Sequence, residues 1–322
     1  MNNLIDIARA IPVAPAAMAA SFSPVLLPVP GRPQPLEMRI TTPVSGDRLP
    51  VVLLSHGHGP SLYVPSKDGY GPLVNFLAER GFVVIQPSHA NSKVAGLPSA
   101  APDGPMFMRE RADELKRILD GLDAIEAAVP TLAGRLDRDR IAAVGHSLGG
   151  QTVSLLLGAR VKTDEGRDAG IVDLREPRIK AGVLLAAPGA GGDDLSAAAK
   201  RYGPMFSPDF AHMTTRALVV YGDADNSPHL TLRGPDWHAD PYHLSPGADA
   251  LLTLFGAKHG LGGIAGYDAK ETDDENPDRL ELTRRMVWAY LRSALDESDP
   301  AWTDACAALA GPASALGHTT RK

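Results

Sequence analysis

The chain has 322 residues, 44% hydrophobic and 22% charged, the range of a globular protein able to bury a sizeable core. Its net charge of −6 disfavours nucleic acid and anionic membranes, since either would favour a basic face, and points to neutral or weakly charged small molecules. Cys306 is the only cysteine, so an intrachain disulfide and a cysteine-based zinc site are excluded, and no histidine close in sequence could activate its thiol.

Residues 10–20 are small and apolar, and Ala17-Met18-Ala19 loosely imitates a signal-peptidase site. Pro12 and Pro15 interrupt the run and Asp6 offsets Arg9, so residues 1–22 read as an N-terminal arm and the location as cytoplasmic. Secretion is the alternative if residues 1–20 act as a weak leader. No apolar run reaches 18 residues, so no integral membrane segment is expected. Residues 36–42 alternate and predict an early antiparallel strand, and residues 50–55 predict a buried strand ending in HGHG. A helix over 70–80 is stopped by Gly81, and a strand over 82–87 is closed by Pro87. The stretch 88–108 reads as a long loop, and the apolar spacing of Leu115, Ile118, Leu122 and Ile125 predicts a helix over 109–129. Strand 140–145, helix 148–158, a charged excursion at 160–178, strand 180–187 and a Gly/Ala-rich stretch at 188–214 follow. Strands 216–222 and 249–256 and a helix over 278–295 complete the pattern, and the tail after Pro300 shows none.

Strands alternating with helices imply an α/β protein with a mostly parallel central sheet and helices on both faces. The expected domain spans 23–298, with loop or cap insertions near 88–108 and 188–214 and a C-terminal tail at 299–322. In such sheets the working groups collect at the carboxyl ends of the strands.

The strongest local signal is Gly145-His146-Ser147-Leu148-Gly149-Gly150, directly after a strand and opening a helix. A serine there sits on a sharp turn whose neighbours must be small, its hydroxyl is lifted clear of the sheet, and the Leu148 amide can face a developing oxyanion. A serine hydroxyl needs a base, and His259, in FGAKHG after the last predicted strand, is the candidate. His146 reads as structural, and His238 and His243 read as pocket-wall or surface residues. The base needs an acid, and Gly222-Asp223-Ala224-Asp225 lies between serine and histidine in chain order. Asp225 is preferred because it can reach across to His259, whereas Asp223 is close enough to the strand end to brace the loop instead. The second oxyanion donor is assigned to the amide of His58 in Ser55-His56-Gly57-His58-Gly59. A metal reading of His56 and His58 lacks nearby partner ligands.

GHSLGGQT, SHGHG, GDAD and KHGLGG together resemble the α/β-hydrolase superfamily, over roughly residues 36–295. Within it they most resemble the branch of chlorophyllase-like and platelet-activating-factor acetylhydrolase-like esterases. The resemblance implies a serine carboxylic-ester hydrolase with Ser147, Asp225 and His259 as triad, Leu148 and His58 as oxyanion amides, no cofactor and no metal. The substrate would be a small-molecule or lipid-like ester. Acyl transfer, amide cleavage or perhydrolysis by the same triad, and a non-catalytic ligand-binding protein, are the alternatives. The segment 259–277 resembles stretches in many bacterial members and does not select a substrate, and loops 88–108, 160–178 and 188–214 carry no diagnostic motif. Met106, Phe107, Met108, Met205 and Phe206 read equally as pocket lining or as cap core.

Overall fold

Short runs of Val, Leu, Ile and Ala build one sheet, because alternate residues of a doubly covered strand both need an apolar neighbour. A computed structural model describes residues 5–32, 34–101, 103–162, 170–266 and 274–322. Residues 163–169 of the charged excursion and 267–273 of the 259–277 segment therefore lie outside the described residues. The strands are β1 (Ala19–Leu27), β2 (Leu36–Pro43), β3 (Leu49–Ser55), β4 (Val83–Pro87) and β5 (Leu136–His146). They continue with β6 (Arg160–Lys162), β7 (Ile171–Asp173), β8 (Ile179–Leu185), β9 (Arg216–Gly222), β10 (Ala248–Leu254) and β11 (Gly317–Arg321). Nine of these form one sheet in the order β1-β2-β4-β3-β5-β8-β9-β10-β11, and β6 pairs with β7 apart from it. Pairing from β4 through β3, β5, β8 and β9 to β10 is parallel, whereas β1, β2 and β11 join antiparallel.

The helices are α1 (Gly71–Ala78), α2 (Met108–Asp120), α3 (Leu122–Ala128), α4 (Leu148–Leu156), α5 (Ala197–Lys200), α6 (Asp240–Leu244), α7 (Pro277–Leu295) and α8 (Ala301–Ala310). Val52 and Leu54 of β3 share a core with α1, α7 and α8, while Val51 and Leu53 share the opposite core with α2, α3 and α4. Both faces of the sheet are thus covered, as the sequence pattern implies.

Three expectations change. The helix over 109–129 is two helices, because at Gly121 the backbone leaves helical geometry and Leu27 of β1 packs so close that a Cβ would lie 2.8 Å from it. The arm over 1–22 gives way to strand β1 at Ala19, whose register shifts between Phe22 and Val25, around Pro24, which cannot donate to the ladder. Ahead of it, Ala8 and Ile11 are fully buried, and the Asp278 carboxylate accepts the amides of Asp6, Ile7 and Ala8. The tail after Pro300 is not patternless: α8 buries Trp302, Ala305 and Leu309, and β11 adds the last strand of the sheet. Its sequence, GHTTR, is polar because an edge strand has only one covered side.

Candidate active site

Ser147 lies between β5 and α4 with φ 55° and ψ −123°, a conformation costly for a residue with a side chain. Its neighbours make the turn possible: a Cβ on Gly145 would lie 2.1 Å from the Gly149 carbonyl, and one on Gly149 would lie 2.0 Å from that of Ser55. The Ser147 amide donates to the Leu185 carbonyl of β8 at 2.9 Å, which anchors the turn to the sheet. Leu148 begins α4, so its amide has no acceptor within the helix.

His259 and Asp225 meet across loops after β10 and β9, and His259 Nδ1–H donates to Asp225 Oδ2 at 2.8 Å. Asp225 is 1% exposed, whereas the His259 side chain is 33% exposed. Burial pushes the Asp225 carboxyl up, but the His259 hydrogen bond and the surrounding imidazoles outweigh it and hold the carboxyl below its usual range. Asp223 instead accepts the Gly256 amide at 2.6 Å and braces the turn after β10. His238, read from sequence as pocket wall or surface, is buried with Nε2 3.3 Å from Asp225 Oδ2. Its Nδ1–H donates to the Ala187 carbonyl at 2.8 Å. Ser227 Oγ donates to Asp225 Oδ1 at 3.3 Å. His243 is exposed.

Two successive peptides of the loop after β3 are held by side chains. The carbonyl of the first, His56 O, accepts from Arg111, and its amide, Gly57 N–H, donates to the Tyr70 hydroxyl at 3.0 Å. The carbonyl of the second, Gly57 O, accepts from His56 Nδ1–H at 2.7 Å, and His56 Nε2 accepts the His89 amide at 2.9 Å. A carbonyl can only accept and an amide only donate, so the His56 tautomer is determined. In a trans peptide the N–H opposes the C=O, so the His58 amide points away from the buried His56 ring, and His58 lines the cavity that Ser147 shares.

The Tyr70 hydroxyl also donates to His146 Nδ1 at 2.9 Å, and His146 Nε2–H donates to the carbonyl of His259 at 2.8 Å. One relay of hydrogen bonds thus joins the loop after β3, the turn at Ser147 and the loop carrying His259. Burial and the neighbouring His259 ring push the His146 pKa down to about 3, which keeps it in the neutral form the relay requires.

Ser147, His259, His58 and Tyr70 line one cavity of about 400 Å³, with glycines, Val64 and Ala265 completing much of its wall. Met106, Met205 and Phe206 are buried elsewhere, packed with Leu148, Leu195 and Trp237.

Behind the loop lies a second serine–histidine–carboxylate array. Ser55 Oγ is 2.9 Å from His89 Nε2, and His89 Nδ1 is 2.7 Å from Glu114 Oε2. All three residues are fully buried. Burial raises the Glu114 pKa to about 7 against the opposing pull of Arg32, and burial lowers His89 well below its usual value.

Both His56 ring nitrogens are hydrogen-bonded, which leaves none for a metal. Among the described residues, Asp225, His238 and His259 offer ligand atoms within 4.8 Å of one another. A cation there would have to compete with the His259–Asp225 and His238–Ala187 hydrogen bonds.

Sequence reasoning did not single out Tyr70, His89, Arg111 or Glu114. Arg111 and Glu114 carry the one available signal: two charges on the apolar side of α2, Arg111 one turn before Leu115 and Glu114 one turn before Ile118.

No family model matches the chain, and no curated protein does. The structure is similar to a hyperthermophilic esterase from the archaeon Pyrobaculum calidifontis, with a TM-score of 0.56 and 19% identity over 89% of this chain and 86% of that one. It is similar to an arylesterase, with a TM-score of 0.53 and 16% identity over 90% and 89% of the two chains. A thermophilic carboxylesterase cloned from a metagenomic library matches with a TM-score of 0.51 and 19% identity over 90% and 93%. The chain therefore has the α/β-hydrolase fold, with a mostly parallel nine-stranded sheet flanked by helices. No helix among the described residues is long and apolar enough to cross a membrane.

Proposed function

We propose that the protein is a serine carboxylic-ester hydrolase working through a covalent acyl-enzyme. One observation carries this reading: Ser147, in a strained turn at the end of β5, opens onto the same cavity as His259, whose far ring nitrogen is held by Asp225. In this mechanism Ser147 Oγ attacks the ester carbonyl while His259 Nε2 takes the hydroxyl proton. The carbonyl oxygen becomes an oxyanion received by the His58 and Leu148 amides. His259 then returns the proton to the leaving alkoxide oxygen, and the alcohol departs. Water enters, gives its proton to His259 and its hydroxide to the acyl carbon, and Ser147 Oγ leaves with the returned proton. Asp225 orients the imidazole and stabilises its cationic form throughout.

The described cavity wall carries imidazole, phenol, glycine and small apolar groups, and no carboxylate, ammonium or guanidinium, which fits a neutral ester. The esterases of similar fold support hydrolysis, and the sequence resemblance to chlorophyllase-like and platelet-activating-factor acetylhydrolase-like enzymes favours a lipid-like or other apolar ester. The test is labelling of the folded protein with a fluorophosphonate, followed by peptide mapping. The expected adduct is on Ser147; a folded protein that stays unlabelled, or is labelled elsewhere, removes the reading.

A further inference from the structure

A buried guanidinium stands behind both residues whose amides are proposed to receive the oxyanion. Arg111 of α2 is fully buried, and its donors reach three chain segments. Nε–H donates to Thr152 Oγ1 at 2.9 Å, and the Thr152 hydroxyl donates to the carbonyl of Leu148 at 3.1 Å. Nη1 donates to Asn91 Oδ1, and Asn91 Nδ2 donates to His58 Nδ1 at 3.2 Å. Nη2 donates to Ser55 Oγ at 3.0 Å and to the His56 carbonyl at 2.5 Å. All four direct acceptors are uncharged oxygens, and the Glu114 carboxyl group beside it is bound by Arg32 and His89 instead. A planar fork can hold several segments at fixed angles in a way that a single ammonium cannot.

We infer that Arg111 is a positioning residue for oxyanion stabilisation, setting the His58 and Leu148 segments relative to each other and keeping a positive charge behind them. This role rests on the hydrolase reading of Ser147. Its signature is selective: misplaced oxyanion donors weaken the transition state more than the bound substrate, so turnover falls while KM holds.

The test is Arg111→Lys, assayed on a p-nitrophenyl ester with rates divided by the sites titrated with fluorophosphonate, which removes any contribution from misfolded protein. The expected result is a fall in kcat per site of about 10- to 100-fold with KM within about threefold, since small misplacements cost on this scale. Inhibition by an alkyl boronic acid, a tetrahedral mimic, should weaken by a similar factor. A kcat per site within about threefold of the parent, or a loss carried by KM, overturns the proposal. If Arg111→Lys does not fold, Thr152→Val and Asn91→Ala each cut one arm and leave the guanidinium in place. A loss of about threefold or more in kcat from each supports the proposal, and unchanged kcat in both overturns it. If the parent protein neither labels at Ser147 nor cleaves esters, the hydrolase reading itself falls and takes this role with it.

Discussion

Two groupings of serine, histidine and carboxylate lie at the same end of the sheet, and they differ in almost everything except composition. Ser55, His89 and Glu114 are linked by hydrogen bonds of 2.9 and 2.7 Å, yet all three are sealed from solvent. Ser55 ends a regular strand, and Arg111 donates to its hydroxyl oxygen, which occupies one of its two lone pairs. Ser147 instead sits in a strained turn on a cavity that His259 also lines, and Asp225 is buried behind it. On the proposed reading, connectivity between the three side-chain types does not by itself make a nucleophile. Access, an exposed hydroxyl on a constrained backbone and nearby amides for the oxyanion are the additional requirements.

The sharpest way to break this contrast is to remove each serine. Ser147→Ala should lose at least about three orders of magnitude in kcat on a model ester, whereas Ser55→Ala should stay within about tenfold. Ser55→Ala should instead cost about 1–3 kcal/mol in urea unfolding, because His89 and Arg111 lose a buried partner. A catalytic collapse in Ser55→Ala would mean that the buried array has been misread.

The acids come next. Asp225→Asn should lower kcat by about 10²- to 10⁴-fold through the wrong imidazole tautomer, while Asp223→Asn, whose carboxylate accepts the Gly256 amide, should stay within about threefold. If only Asp223→Asn cripples turnover, the assignment of Asp225 is wrong. Tyr70→Phe keeps the ring and removes the hydroxyl between Gly57 and His146, and should reduce kcat by about tenfold and cost about 1–3 kcal/mol in urea unfolding, because both groups lose a buried partner.

The smallest effect separates the two carboxylates by pH. Glu114, raised from 4.5 to about 7, holds a proton in the folded protein that the unfolded chain has already lost. Its contribution to stability is therefore present at low pH and is lost as pH rises through that window. Asp225, held below its usual value, works the other way, and its contribution is lost as pH falls through the folded value. Glu114→Gln should accordingly make the slope of unfolding free energy against pH more positive between 4.5 and 7, by up to about 1.4 kcal/mol per unit. An unchanged slope in denaturant titrations would show that Glu114 is ionised in the native state.

Much of the architecture was legible because the interior strands are continuous apolar runs: LPVVLLS, VVIQP and RALVVYG each state their own burial. The edges were not legible, since β1 carries Pro24 and β11 is polar, and both rely on a single neighbouring strand. The turn at Ser147 was visible because its geometry needs glycines at fixed offsets within six residues. Its surroundings were hidden for the opposite reason. Tyr70 and His146 are 76 residues apart, Arg111 and His56 are 55 apart, and neither pair leaves a local pattern.

Sequence alone therefore determined the layered α/β plan and singled out Ser147, Asp225 and His259, since strand burial and tight turns are written in neighbouring residues. Tertiary structure decided which of two serine–histidine–carboxylate groupings meets solvent, and how His56, Tyr70 and Arg111 hold the loop beside Ser147. Solvent access and long-range hydrogen bonds depend on how distant segments pack, and no short stretch of chain contains that information.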